Sequence, residues 1–259
     1  MSLNFPSKSD VQLENAPLAE VVCQVRFPPI LRISAEEPTA FQERIRDAFP
    51  LVDLEHAFVL RVPGPGAKET PSAEPKASIY RFHTPDKQTT ISLAADFYAV
   101  STTAYTHWRD FARVLGMVHE AAVQVYRPAY ATRIGLRYIN RLTLQNTGCQ
   151  TIADLLSVLR AKLTAPIRNP AWGEAVEMHC RLVLPNGPAR LTMGTVFETQ
   201  GDEPAFVLDL DYFEEGRLDL GGLIERCARY NEVIYRAFRW AIREDKLEIF
   251  KPRTKDLSK

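Results

Sequence analysis

The chain has 259 residues, 46% of them hydrophobic and 25% charged, an ordinary globular composition with apolar material for one large core or two small ones. Its 32 basic and 32 acidic residues cancel, which argues against a whole-protein pull on nucleic acid or an anionic membrane. No run of about 18 apolar residues suggests a membrane span, and the opening M-S-L-N-F-P-S-K-S-D lacks the apolar core of a secretion signal.

Residues 1–16 show no periodicity and read as a loose lead-in. Residues 20–27, E-V-V-C-Q-V-R-F, alternate: Val21, Cys23, Val25 and Phe27 against Val22, Gln24 and Arg26. This is a half-buried strand stopped by Pro28-Pro29. Residues 39–49 form a helix through Phe41, Ile45 and Ala48 or Phe49, and Pro50 closes it. A short strand at 58–62 follows. Residues 63–77 carry four prolines, two glycines and no large apolar side chain. Such a stretch offers nothing to bury, and a mobile loop between strands is expected. Residues 78–84, 89–96 and 98–102 read as a meander, with P-D-K-Q as its first turn. A long helix covers 106–127, with Tyr105, Trp108, Phe111, Leu115, Val118, Ala122 and Val125 as its apolar stripe. Thr103 or Thr106 is placed to cap it, and Trp108 is expected in the core.

Residues 132–143, T-R-I-G-L-R-Y-I-N-R-L-T, form the strand on which the rest is organised. Successive strand side chains point to opposite faces. Ile134, Leu136, Tyr138 and Leu142 share one, while Arg133, Arg137 and Arg141 share the other with Gly135 and Ile139 between them. A helix over 152–163 and a hairpin of 176–184 with 190–198 around P-N-G-P come next. Residues 206–213 are another strand. A second long helix spans 220–242, its first turn weakened by Gly221-Gly222, and the tail from 251 to 259 is polar and expected to fray.

The two halves match in kind: strand, short helix, three or four antiparallel strands, then a helix of about six turns. This predicts an internal duplication, 1–128 and 129–250, with Arg26 and Arg137 in corresponding places. The expected class is α+β, one curved antiparallel sheet of about eight strands with all helices on one face. Duplicated units of this kind resemble the GyrI-like ligand-binding fold, a likeness of topology alone. Three segments, A-P-L-A-E-V-V-C-Q-V-R-F, F-Q-E-R-I-R-D-A-F-P and R-I-G-L-R-Y-I-N-R-L, resemble a sporadically distributed family of prokaryotic proteins of about this length. The resemblance brings no activity; it implies a patchily distributed accessory protein, of a kind found in mobile-element or defence neighbourhoods. Members usually carry a histidine in the last long helix, where this chain has Tyr230-Asn231.

Cys23, Cys149, Cys180 and Cys227 are far apart and form no C-x-x-C, so a reduced, cytoplasmic protein is expected. His119-Glu120 lacks a second histidine at Val123, and His56, His83, His107 and His179 are scattered. The chain contains no G-x-S-x-G, G-x-x-x-x-G-K-[ST] or G-x-G-x-x-G. No catalytic residue, metal ligand or cofactor is assigned. Asp209 and Asp211 share one strand face and could aim two carboxylates at a cation, but the nearby arginines suit ion pairing better. Lys251, Arg253, Lys255 and Lys259 read as a solvated tail, not a nucleic-acid contact.

Arg26, Arg133, Arg137, Arg141, Asp209 and Asp211 are the candidate binding residues. The bland reading is a solvated sheet face laced with cross-strand ion pairs; the functional one is a polar groove that holds an anionic small ligand or a protein segment. The expected function is a non-enzymatic binding or adaptor protein using that face. The competing readings are an enzyme acting there on a phosphorylated or nucleotide substrate, and a structural subunit of an operon-encoded complex. No membrane or nucleic-acid partner is expected, and a homo-oligomer remains open.

Overall fold

A computed structural model describes residues 3–6, 11–61, 72–169, 171, 175–199 and 203–254. The elements run β1 (Val11–Leu13), β2 (Leu18–Arg26), α1 (Leu31–Ala35), α2 (Thr39–Ile45), β3 (Leu51–Arg61), β4 (Ser72–His83), β5 (Thr89–Ala94), β6 (Phe97–Thr102) and α3 (Trp108–Tyr126). The second half runs β7 (Ala131–Thr143), α4 (Leu144–Thr147), α5 (Ile152–Ser157), α6 (Ala161–Thr164), β8 (Glu177–Asn186), β9 (Ala189–Glu198), β10 (Ala205–Leu218) and α7 (Leu223–Ala241), then a 3-10 helix (Glu244–Phe250) and β11 (Pro252–Thr254).

Nine strands form one antiparallel sheet in the order β3-β4-β5-β6-β2-β7-β10-β9-β8. The opening strand of each half, β2 and β7, pair at its centre, and the last strand of each half flanks that pair. The first half carries one strand more than the second. The class is therefore α+β, with one strand more than the sequence suggests.

The core lies between this sheet and the helices. Val21, Cys23 and Val25 of β2, and Ile134, Leu136 and Leu142 of β7, are fully buried. They meet Phe111, Leu115 and Val118 of α3 and Cys227, Ile234 and Phe238 of α7 in one cluster. Both long helices are strongly amphipathic, which is why each lays a single stripe on the sheet. The four cysteines are free thiols. Cys23 and Cys227 touch, Sγ to Sγ 3.8 Å, where β2 meets α7. Hydrogen bonding to Cys227 and burial push the Cys23 thiol well up, so it behaves as a core side chain.

Several elements depart from expectation, each for a reason beyond local periodicity. Of the loop expected at 63–77, residues 63–71 lie outside the described residues, and from Ser72 the chain is already in β4, paired with a β3 that begins at Leu51 instead of 58. Backbone pairing in a hairpin needs no large apolar side chains, and composition therefore underestimates it. Pro75 is tolerated because it sits beside a register shift, and because β4 pairs with β5 only from Tyr80 to His83, leaving its other edge there without a strand partner among the described residues.

The lead-in and the tail, expected loose, join as a two-stranded ribbon in which Val11 pairs with Thr254 and Leu13 with Pro252. The helix expected over 152–163 is broken into α5 and α6. Between them Leu159 forms a β-bridge with Ile242, and Arg243 N–H donates to the Val158 carbonyl. The N-cap of α3 is His107, whose Nδ1 accepts from Arg109 N–H at 3.0 Å, in place of either threonine. Arg127, with a φ of 50°, ends that helix ahead of Pro128.

Candidate functional site

The face of β7 turned away from the helices carries the predicted arginines. Arg137 grips Asp209 with Nε–Oδ1 at 2.7 Å and Nη2–Oδ2 at 2.6 Å. Donating hydrogen bonds to the Asp209 carboxylate pushes the pKa of the Arg137 guanidinium further up. Arg133 runs along the strand to reach Asp211, its Nη2 at 3.0 and 2.8 Å from the two carboxylate oxygens. Its guanidinium also stacks on Phe213, 4.6 Å from the ring centroid. Burial pushes the Asp211 carboxyl up while Arg133 pulls it back. Both carboxylates are thus committed to neighbouring guanidinium groups.

Arg26 lies opposite Arg133, not Arg137, and turns away to Asp96, 2.6 Å from Nη2. Arg141 forms no ion pair among the described residues. The tertiary structure therefore brings together Arg133, Arg137, Asp209 and Asp211 and leaves Arg26 and Arg141 at the margins. The same face continues outward as Arg81–Glu55 at 2.5 Å and Arg190–Glu215 at 2.8 Å. It is a broad ladder of paired charges.

The other face holds a partly open cavity of about 530 Å³, lined by the start of α3, the middle of α7, the strands β2 and β7, and the β1 segment. Its floor comes from the row of β7 that builds the core. Tyr138 reaches up from that row, its hydroxyl 2.8 Å from Asn231 Oδ1 on α7 and 3.1 Å from the Tyr105 hydroxyl. Burial pushes the Tyr138 hydroxyl well up, so it stays protonated.

Asn140, two residues on, is only 4% exposed. Its Nδ2 donates to the Leu208 carbonyl at 3.2 Å. The residue is also part of the cavity lining.

Aromatic rings supply the walls. Tyr105 and Tyr138 meet edge to face at 5.4 Å, and Trp108 sits 6.1 Å from Phe111. Trp108, expected in the core, is only half-buried, because it opens onto the cavity. One wall is the terminal ribbon, stapled to α7 by Val11 N–H donating to the Tyr235 hydroxyl at 3.0 Å, which also accepts from Arg239 Nη1 at 2.9 Å.

None of these cavity residues is among the predicted binding residues. A signal was present: Asn140 falls in the apolar row of Ile134, Leu136, Tyr138 and Leu142, and a polar residue in a core-facing row breaks the binary pattern. Tyr105 and Asn231 come from distant segments and converge only in the fold.

Among the described residues no three His, Cys, Asp or Glu side chains gather as metal ligands, and no helix is long and apolar enough to cross a membrane. No family model matches the chain, and no curated protein matches it.

Proposed function

We propose that the protein is a binding protein whose small organic ligand occupies the cavity between α3, α7 and β7. The observation that carries this reading is a cavity of ligand size, about 530 Å³, on which the rings of Tyr105, Trp108 and Tyr138 and the side-chain amides of Asn140 and Asn231 converge. The ligand it fits is a compact molecule with a flat or aromatic body for Tyr105, Trp108 and Tyr138 and at least one N–H or O–H for Asn140. The chemistry on hand favours binding over catalysis. Tyr138 is held in its protonated form, and His107 Nδ1 is taken up in capping α3.

The Arg/Asp face is the second reading, as a surface for an anionic ligand or a partner segment. Arg26 and Arg137 support it, since their side chains are 48% and 47% exposed and keep N–H groups for a visitor. Against a small anion stands the pairing of Arg133 and Arg137 with Asp211 and Asp209, which a competitor would have to displace.

The test is mass spectrometry of small molecules released from natively purified protein. Wild type, Asn140→Leu and the double variant Arg26→Ala/Arg137→Ala are compared, with circular dichroism confirming the fold of each. A compound present in wild type and the arginine variant but lost from Asn140→Leu is the expected result. Loss from the arginine variant alone moves the site to the sheet face, and retention in Asn140→Leu overturns the cavity reading.

A further inference from the structure

β8 is the outermost strand of its half of the sheet, yet among the described residues it lacks the usual protection of an edge. Its even-numbered residues face the helix side, because they lie opposite buried Phe197, Met193 and Leu191 of β9. That row is Met178, Cys180, Leu182 and Leu184. Only its ends are partly covered; Cys180 and Leu182 are exposed, and so are Val176 just before the strand and Val183 on the other face. No lysine lies along the strand, and its single proline, Pro185, guards only the turn end.

The hairpin defines which backbone groups are free. Asn186 and Ala189 pair across the two-residue turn Gly187-Pro188, in which Gly187 has a φ of 63°. A turn of this length closes on a pair that exchanges both hydrogen bonds, and such pairs then alternate along the ladder. The even-numbered residues of β8 are therefore bonded to β9, and the N–H and C=O groups of Glu177, His179, Arg181 and Val183 point outward. Pro185 obeys the same parity, since its missing N–H falls on the open side.

We propose that β8 pairs with β8 of a second copy of this chain, antiparallel about a twofold axis through His179, joining two sheets into one. Charge decides both partner and register. Only pairings that place odd-numbered residues opposite one another use the outward groups. Centred on His179, the pairing puts Glu177 opposite Arg181 twice, and on the helix side Val176 opposite Leu182 and Met178 opposite Cys180. Centred on Arg181, it sets two guanidinium groups against each other. Centred on Cys180, it places Glu177 opposite Val183 and His179 opposite Arg181, with no opposite-charge pair. The opposite edge, β3, also exposes Leu51, Val52 and Leu54. Over Leu51–Glu55, however, its charged residues Asp53 and Glu55 are both acidic, and self-pairing there would oppose like charges. A β3–β8 contact would be head-to-tail and grow without closing. The β8 contact is isologous and closes at two copies.

Analytical ultracentrifugation tests this on the full chain. Wild type is expected to sediment as a dimer of the 29.3 kDa chain. Glu177→Arg and Arg181→Glu, both at exposed positions, should each weaken the dimer by about tenfold or more, and the combined swap should restore it, because the opposed pairs are re-formed with reversed sign. A wild-type chain that stays monomeric up to its solubility limit overturns the proposal. So does a dimer indifferent to either reversal, and so does a double variant no tighter than the single ones.

Discussion

The Arg133 guanidinium lies directly over Gly135, so close that a Cβ at residue 135 would sit 2.5 Å from Nη1 and 2.8 Å from Cζ. The glycine is therefore a clearance for the arginine and not a turn residue: it keeps an extended backbone inside β7 and lets the side chain of Arg133 run along the strand to Asp211. Gly135→Ala should force the guanidinium off Phe213 and Asp211 and cost about 1–2 kcal/mol, on the order of a charge-assisted hydrogen bond lost from a partly buried site. In an Arg133→Ala background the same change should be nearly neutral. Urea unfolding of the four proteins in this cycle measures the coupling; additive effects would mean that the two residues do not share the site.

The two faces of β7 should respond to truncation very differently. Leu136 is fully buried, and Leu136→Ala should lower stability by about 2–5 kcal/mol through lost contacts and a cavity. Arg137 is half-exposed and paired with Asp209 in solvent; Arg137→Ala should cost less than about 1 kcal/mol. Chemical denaturation midpoints give both values, and comparable losses at the two positions would contradict the assignment of faces.

His119 on α3 introduces a pH dependence. Its Nδ1 lies 2.6 Å from the hydroxyl of buried Tyr98, and burial holds its pKa below the ordinary 6.5. The unfolded chain therefore takes up a proton at a pH where the folded protein still refuses it. The stability linked to this site is complete above 6.5 and declines as pH falls below that value. His119→Gln should flatten the fall in unfolding free energy between about pH 7 and pH 5. Parallel pH profiles for wild type and variant would show that the fall comes from other groups.

What the sequence determined by itself is what short-range periodicity encodes. The alternation in β2 and β7 set which residues enter the core, since a strand has two faces and only one can be buried. The three-and-four spacing from Phe111 to Ala122 and from Leu223 to Phe238 set two long amphipathic helices on the apolar side. The α+β class followed, together with the polar row of Arg133, Arg137, Asp209 and Asp211. What tertiary structure alone decided depends on residues far apart in the chain. The pairing of Val11–Leu13 with Pro252–Thr254 is one case, because a three-residue strand has no periodicity to read and exists only where its partner arrives. The register of β2 on β7 is another, and it set Arg26 beside Arg133 and left it to Asp96. The cavity is the third: Tyr105, Tyr138 and Asn231 lie up to 126 positions apart (231 − 105) and meet through hydrogen bonds of 3.1 and 2.8 Å. No local pattern specifies such a meeting, because it depends on where two helices cross the same strand.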